Sequence, residues 1–314
     1  MTAPVKLISI HRPAKITDKL LLASSPRKVG FERPTPERPL IISASELRDF
    51  LRCRVMHHWR HQVRLETVEG KTNLALGSMV ANGQEEWYKI PPAKRSVKAM
   101  ERIATKLTAV QPTDVLSTEN LELIKAMLIG FAAYAKDDDP TIGLVEATPE
   151  DEFDLPLIAD GSIRVRGRID VSFKPTIYKK TMSFIESKTA KSMKTDVVEL
   201  NLQLSVYFWA MRKKYPKIKS FIGYYQQLRK QMPTSRVTAP LFGRDAVERD
   251  EEQIDQWVRD TQAIALDMLD GAVYANPMDS CAWGCDYKGP CLLRGTPDLL
   301  DVLKTEYKIK ESKP

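Results

Sequence analysis

Three short segments rich in β-branched residues follow one another in the middle of the chain. They run over about 153–158, 163–173 and 182–189, and Asp160-Gly161 and Lys174-Pro175 separate them. Short alternating segments between turn residues are typical of consecutive antiparallel strands. A fourth strand is predicted over 220–228. The chain is therefore predicted to be of the α+β (α/β) class.

Helical patterns lie on both sides of these strands. Apolar residues recur at helical spacing in six segments, which predicts helices over about 43–55, 76–88, 93–109, 118–134, 196–214 and 251–269. The first helix opens on a capping-box pattern, Ser43-Ala-Ser-Glu46, and carries Cys53 in its second half. The first half of the chain is therefore mostly helical.

Composition limits the kinds of protein that this chain can be. Lys and Arg number 48 against 41 Asp and Glu, so the net charge is +7, which favours polyanionic partners without establishing one. No segment approaches the roughly 20 apolar residues that span a bilayer, and the N-terminus does not resemble a signal peptide. We therefore expect an intracellular, cytoplasmic protein.

The four cysteines are unevenly placed. Cys281, Cys285 and Cys291 fall within eleven positions, whereas Cys53 is far upstream. In a reducing compartment such clusters bind metal more often than they form disulfides, and four thiolates are compatible with tetrahedral zinc. His57, His58 and His61 follow Cys53 closely, but we expect them on the surface or near DNA rather than as ligands.

The residues that suggest chemistry lie on the central strands. Gly167-Arg-Ile-Asp170 ends in a carboxylate. Sixteen positions later, Glu186-Ser-Lys188 places an acid and an amine on one face of the next predicted strand. Two converging carboxylates suit Mg²⁺ or Mn²⁺, and a nearby ammonium can stabilise charge on phosphorus. The pattern suits phosphodiester hydrolysis. An ordinary surface ion pair of Glu186 with Lys188 or Lys191 is the alternative.

A polar pair lies on the helix that follows these strands. Gln203 and Tyr207 are four residues apart and share one helix face. They could reach a DNA phosphate or order Lys188. The alternative is a half-buried tyrosine whose hydroxyl is satisfied within the fold.

The order of these motifs, with Gln203-Leu-Ser-Val-Tyr207 last, resembles the PD-(D/E)XK nuclease superfamily in its RecB-like branch. The cysteine set resembles its iron–sulfur members, which include Cas-four-type CRISPR-associated exonucleases, AddB-type helicase-nucleases and phage-encoded relatives. The likeness covers about residues 43–294. It implies a mixed central β-sheet flanked by helices, the restriction-endonuclease-like core, with a helical N-terminal part and a C-terminal segment joined by a metal cluster.

The resemblance also implies roles for individual residues. Asp170, Glu186 and the backbone carbonyl of Ser187 would bind Mg²⁺ or Mn²⁺, and Lys188 would be the catalytic lysine. Gln203 and Tyr207 would face DNA or order the site. A [4Fe-4S] cluster, or zinc in the alternative, would be held by Cys53, Cys281, Cys285 and Cys291. The activity would be that of a DNA exonuclease on single strands or duplex ends, in recombination, repair or replication, with a possible protein partner.

One motif departs from the family pattern. Many relatives carry Gly-Ser-x-x-His before the sheet, but Gly77-Ser78-Met79-Val80-Ala81 has alanine in place of the metal-binding histidine. Asn82 and Glu85 are the candidates for an oxygen ligand in its place. Two alternatives stay open: a DNA-binding accessory protein with weak catalysis, and a zinc-stabilised interaction module.

The same interpretation divides the chain into five parts. These are a Pro-rich basic arm at 1–42, a helical part at 43–148, the nuclease core at 149–275, the cysteine segment at 276–296 and a tail at 297–314. Lys191, Lys194 and Arg212 are predicted DNA contacts.

A cluster on all four cysteines would close a long loop, and the sequence shows little other reason for the two flanks to stay together.

Overall fold

The protein is described from a computed structural model, in which residues 33–110, 112–137, 146–174, 180–193, 198–237 and 240–310 are described. Most of the predicted arm at 1–42, Lys194 and the last residues of the predicted tail lie outside the described residues. The chain divides into two units. The flank unit takes the described residues of Met1–Glu69, Asp154–Gly167 and Asp255–Pro314, and the sheet unit takes those of Gly70–Phe153 and Arg168–Ile254.

Eight strands and ten α-helices are found among the described residues. The strands are β1 Leu40–Ile42, β2 Leu65–Thr67, β3 Ala147–Pro156, β4 Ile163–Phe173, β5 Thr181–Ala190, β6 Ser220–Arg229, β7 Phe242–Val247 and β8 Tyr307–Ile309. The helices are α1 Ala44–Arg52, α2 Arg54–His57, α3 Thr72–Lys89, α4 Val97–Thr108, α5 Thr118–Asp137, α6 Leu202–Lys214, α7 Glu251–Asp270, α8 Cys281–Gly284, α9 Lys288–Leu292 and α10 Leu299–Glu306. None of these helices is both long and apolar enough to span a membrane.

The sheet unit contains β5, β6 and β7 with residues 147–153 of β3 and 168–173 of β4. The neighbouring strands run in the order β4-β5-β6-β7, and β3 pairs with β4. β4 and β5 are antiparallel, β5 and β6 are parallel, and β6 and β7 are antiparallel. The long parallel pairing runs from Thr181 opposite Ser220 to Ala190 opposite Arg229. The predicted mixed sheet is therefore confirmed, and β7 is a strand that the sequence pattern did not reveal.

Helices cover both faces of this sheet. On one face, apolar side chains of α3, α4 and α5 form a core with Val171, Phe173, Ile185 and Leu228. On the other face, Phe208 of α6 packs edge to face on Phe184 of β5, with ring centroids 4.9 Å apart. A Cβ at Gly223 would come within 2.7 Å of the Phe184 ring, so only glycine lets β6 pass beneath this aromatic pair.

Helix α6 begins later than the sequence pattern predicted. The side-chain oxygen of Asn201 accepts hydrogen bonds from the backbone N–H groups of Gln203 and Leu204. This side chain satisfies two donors that a helix start leaves unpaired. The helix therefore starts at Leu202 rather than near residue 196, and residues 194–197 lie outside the description.

The flank unit joins two distant parts of the sequence. β2 pairs with β8 in an antiparallel ladder from Leu65 opposite Ile309 to Thr67 opposite Tyr307. A buried apolar cluster draws on both parts, with members Val55, Met56, Trp59, Val63, Leu65, Val273, Tyr287, Leu299, Leu303 and Tyr307. The flanks are therefore joined by a β-ladder and an apolar cluster in addition to the four cysteines, which the sequence did not reveal.

Two details of the first helices also differ from the sequence expectation. Ser43 does cap α1, since its hydroxyl accepts from the Glu46 N–H at 3.2 Å. Cys53 is not inside that helix, because it is extended (φ −165°, ψ 122°) and separates α1 from α2.

The three histidines after Cys53 are held by polar side chains of the flank unit. His57 Nε2 lies 3.2 Å from Glu46 Oε1, His58 Nδ1 lies 2.5 Å from Gln62 Oε1, and His61 Nε2 lies 2.9 Å from Asp49 Oδ2. His57 and His58 are each only 3% exposed. The predicted surface location is therefore wrong for His57 and His58, whereas His61 is partly exposed.

Candidate active site

Strands β4 and β5 bring the predicted catalytic side chains together in the sheet unit. The antiparallel register sets Val171 opposite Ile185, so Asp170 is adjacent to Glu186 across the ladder. The Ser187 N–H donates a hydrogen bond to Asp170 Oδ2 at 2.8 Å. Lys188 Nζ forms an ion pair with Glu186 Oε1.

Burial governs the charges of this site. Glu186 is fully buried, and burial together with the neighbouring Asp170 raises its pKa to about 8, although Lys188 opposes the shift. Burial also raises the pKa of Asp170, against the effects of Lys188 and the Ser187 N–H. Burial would lower the pKa of Lys188, but the two carboxylates outweigh it and raise the pKa. The carboxylate pair therefore tends to retain a proton near neutral pH when no cation is bound.

The site suits a hard divalent cation. Lys188 pairs with Glu186 Oε1, whereas Glu186 Oε2 is buried and has no hydrogen-bond partner among the described residues. Buried acceptors of this kind are costly unless a cation or a proton satisfies them. Two carboxylates and the Ser187 carbonyl form an oxygen donor set that Mg²⁺ or Mn²⁺ prefers, with water completing the shell.

The protein supplies few side-chain ligands to this site. Within the described part of the chain, no group of three or more His, Cys, Asp or Glu residues is placed to hold one metal ion. Ala81 is exposed on α3, one turn after Gly77. A Cβ at Gly77 would lie 3.2 Å from Thr189 Oγ1, so α3 passes close to β5 here.

The two residues proposed to replace the absent histidine do not contact the carboxylate pair. Glu85 forms an ion pair with Lys89 across one helical turn at 2.7 Å, and Asn82 is exposed. Among the described residues, no hydrogen bond or ion pair joins either side chain to Asp170 or Glu186. Both stay predictions as ligands.

Gln203 and Tyr207 form a hydrogen-bonded chain to the backbone of β4. Gln203 Nε2 donates to the Tyr207 hydroxyl at 2.7 Å, and that hydroxyl donates to the Arg168 carbonyl at 2.7 Å. Tyr207 is only 3% exposed. Burial, with the nearby charges of Glu186 and Asp170, raises its pKa well above the ordinary value. The Tyr207 hydroxyl is therefore satisfied within the fold, and the roles of Gln203 and Tyr207 at the site stay predictions.

Two further side chains reach this region from β3 and β4. Arg168 forms an ion pair with Glu150, and Glu150 has a left-handed backbone conformation with φ 54°. Burial raises the pKa of Glu150, which Arg168 opposes. Arg168 belongs to the Gly-Arg-Ile-Asp motif, two residues from Asp170 on the same strand face. The two-residue spacing from Asp170 could have identified Arg168 from the sequence, whereas nothing in the sequence distinguishes Glu150.

A second polar group supports Ser187 from β6 and β7. Gln226 Nε2 donates to Ser187 Oγ at 2.9 Å, and Gln226 Oε1 accepts from Arg244 Nη2 at 2.6 Å. Gln226 is fully buried, and Tyr225 lies opposite Glu186 in the ladder. Sequence reasoning missed these residues because it placed strand β6 without its partner β7.

The four cysteines border one cavity in the flank unit. This cavity has a volume of about 290 Å³, and Met56, Trp59 and Tyr287 also line it. All four thiols are free and partly buried. Burial raises the pKa of Cys285 and of Cys291, and the neighbouring thiols add to that effect.

The donor set of this cavity fits a thiophilic metal group. Four thiols in an apolar pocket are the ligands that zinc or an iron–sulfur cluster takes. The thiols surround the cavity without forming a metal-ligand geometry in the described residues. Because metal ligation needs thiolates, metal binding would release protons from Cys285 and Cys291.

The residues predicted to contact DNA differ in exposure and in their ion pairs. Lys191 is exposed just after β5. Arg212 forms an ion pair with Glu251, and its side chain is 30% exposed. Lys194 lies outside the described residues.

The comparisons with known proteins bear on this site. A protein-family model described as "PD-(D/E)XK nuclease superfamily" matches residues 41–292. A search of curated proteins finds no match. Among solved structures, the protein named "Putative exonuclease" from Eubacterium rectale is similar, with a TM-score of 0.46 and 11% identity over 79% of this chain and 86% of that one. The protein named SSO0001 has a TM-score of 0.38 and 14% identity over 82% of this chain and 87% of that one.

Both TM-scores are low, so the assignment rests on the family match. That match includes Asp170, Glu186 and Lys188 and extends over most of the sequence. The chain belongs to the PD-(D/E)XK nuclease superfamily.

Proposed function

We propose that this member of the superfamily is a metal-dependent DNA exonuclease that hydrolyses phosphodiester bonds of single strands or duplex ends. The observation that carries the proposal is the buried carboxylate pair of Asp170 and Glu186, whose negative charge a bound cation would balance. The divalent ion would be Mg²⁺ or Mn²⁺.

Each residue of the site has a distinct role in this proposal. Asp170, Glu186 and the Ser187 carbonyl would hold the ion, which when bound polarises the phosphodiester and lowers the pKa of water. The Ser187 N–H orients Asp170. Lys188, whose side chain is 41% exposed, would donate to the phosphate oxygens as negative charge builds on them. Gln203 and Tyr207 keep the β4 backbone at Arg168 in place.

Cleavage of end-labelled linear DNA tests this proposal. We expect the wild-type protein to degrade single- or double-stranded DNA with Mg²⁺ or Mn²⁺. Asp170→Asn and Lys188→Ala should each lower the rate by about 10²-fold or more, since both remove groups that act on the transition state. Lys106→Ala, which removes an exposed lysine from α4, is the control. Cleavage that survives both site substitutions would show that the site is elsewhere.

A DNA-binding accessory role is the second candidate, and Ala81 in place of the histidine favours it. In that case the wild-type protein would bind DNA in EDTA but would not cleave it with either metal ion. Lys191, Lys194 and Arg212 are proposed DNA contacts under both candidates.

We also propose that Cys53, Cys281, Cys285 and Cys291 hold a [4Fe-4S] cluster, with zinc as the alternative. The common cavity and the four free thiols support a metal group, and the family resemblance favours iron and sulfur. The resemblance further suggests action in the cytoplasm during DNA recombination, repair or replication, with a possible protein partner.

Metal analysis of anaerobically purified protein separates the two metals. An iron–sulfur protein should be brown and contain iron and sulfide, whereas a zinc protein is colourless. Cys281→Ala should lose the metal and melt several degrees lower, because ligation energy is also folding energy. Ser235→Ala, at an exposed position of the sheet unit, is the control. Unchanged metal content and melting temperature in Cys281→Ala would refute the proposed ligand set.

A further inference from the structure

Three cationic side chains lie where β5 and β6 end. The parallel register continues to Ala190 opposite Arg229, so Lys191 and Lys230 leave their strands side by side. The Lys230 N–H donates to the Ala190 carbonyl at 2.7 Å, and Arg229 Nε donates to the Lys191 carbonyl at 3.3 Å. These bonds fix the two strand ends to each other, and the charges of Lys191 and Lys230 are near enough to interact.

No described carboxylate balances this group. None of Lys191, Arg229 and Lys230 forms an ion pair with an acidic side chain among the described residues. Lys230 Nζ donates instead to the neutral Asn73 Oδ1 at 2.8 Å. Partial burial, and then the positive charge of Lys191, lowers the pKa of Lys230. Neighbouring like charges repel each other, so the arrangement costs energy that a bound anion would recover.

The group lies close to the proposed catalytic lysine. Lys191 follows Lys188 by three residues and lies just beyond the end of β5, about 10 Å away along an extended chain. Arg229 follows Gln227, the ladder partner of Lys188, by two residues. Lys191 is exposed, and Arg229 and Lys230 are partly exposed, so a ligand can reach them.

We propose that Lys191, Arg229 and Lys230 form a phosphate-binding site for a nucleic-acid backbone at the ends of β5 and β6. The inference rests on the proposed nuclease function and adds Arg229 and Lys230 to the residues predicted from sequence. A nucleic-acid strand presents negative charges at regular short intervals, which matches several cations along a strand end. The site would act by charge and would not read base sequence.

Binding of a fluorescent single-stranded oligonucleotide in EDTA tests the inference without cleavage. The double variant Lys191→Gln/Lys230→Gln should bind about tenfold more weakly than wild type in low salt. The slope of log affinity against log salt concentration should fall in magnitude by about 1 to 1.5, because each lost phosphate contact on a single strand contributes about 0.7. Arg229 is left unchanged because its side chain also bonds the Lys191 carbonyl.

The matched control is Lys98→Gln/Lys106→Gln, which removes the same charge from exposed positions of α4 and should leave the slope at its wild-type value. Equal slopes in the two double variants would overturn the inference even if wild type cleaves DNA, and the proposed nuclease function would stand. A wild-type protein that neither binds nor cleaves DNA would refute both.

Discussion

Glu186→Gln is expected to make the metal-free protein more stable while it removes DNA cleavage. Burial and Asp170 raise the pKa of Glu186 to about 8 in the folded protein, against an ordinary value near 4.3. The folded state therefore prefers the protonated form. This contribution to the free energy of unfolding is fully present below about pH 4.3 and is lost as the pH rises towards 8. Glutamine is neutral at every pH and avoids that loss.

Thermal melting in EDTA at several pH values measures the effect. The difference in melting temperature between Glu186→Gln and wild type should grow in favour of the variant from pH 5 to pH 8. Mn²⁺ should stabilise wild type but not the variant, most strongly at pH 8, because the metal needs the ionised carboxylate. Cleavage should fall by about 10³-fold.

Glu122→Gln serves as the control for this experiment, because Glu122 is an exposed glutamate on α5. It should show no growing difference from wild type. A Glu186→Gln protein that melts below wild type at pH 8 without metal would contradict the proposed charge state of the site.

Ala81→His is expected to raise the affinity for Mn²⁺ by about tenfold. The family resemblance implies a histidine at this position, and Ala81 follows Gly77 by one turn on the helix that approaches β5. An imidazole there would add a nitrogen ligand to a donor set that holds only two carboxylates and a carbonyl. A nitrogen ligand favours transition metals, so the gain for Mg²⁺ should be smaller. Calorimetric titration without DNA measures both affinities.

Asn82→His is the matched control. Consecutive side chains on a helix differ in direction by about 100°. An imidazole at position 82 would therefore project in a different direction from one at position 81. Equal gains from the two substitutions would show that added histidine binds metal at the surface. No gain from Ala81→His would show that the site does not admit the absent ligand.

The sequence predicted the central features of the sheet unit because their periodicity is local. The strand pattern at 163–173 and 182–189 and the two-residue spacing of Glu186 and Lys188 follow from chain geometry alone. The structure then brings Asp170 beside them through the β4–β5 register. Their roles in catalysis and metal binding stay predictions until they are assayed.

Contacts between distant residues were beyond the same reasoning. Nothing local predicts that Gln226 and Arg244 reach Ser187, since that contact depends on β7 lying beside β6. The burial of His57 was also missed, because polar partners such as Glu46 make a buried imidazole tolerable and leave no mark in hydrophobic periodicity. Tertiary hydrogen bonds therefore account for most of the differences between the predicted and the observed surroundings of these residues.

The flank unit has a consequence for the order in which the chain can fold during synthesis. Its ladder and apolar core need both residues 33–69 and residues 255–310, whereas the sheet unit draws on residues between them. On the ribosome, the first segment must wait, with Val55, Met56 and Trp59 unburied, until the last one emerges. The sheet unit has no such delay. The four-cysteine cavity therefore forms late, and any metal group reaches its complete set of thiols only after most of the polypeptide has been made.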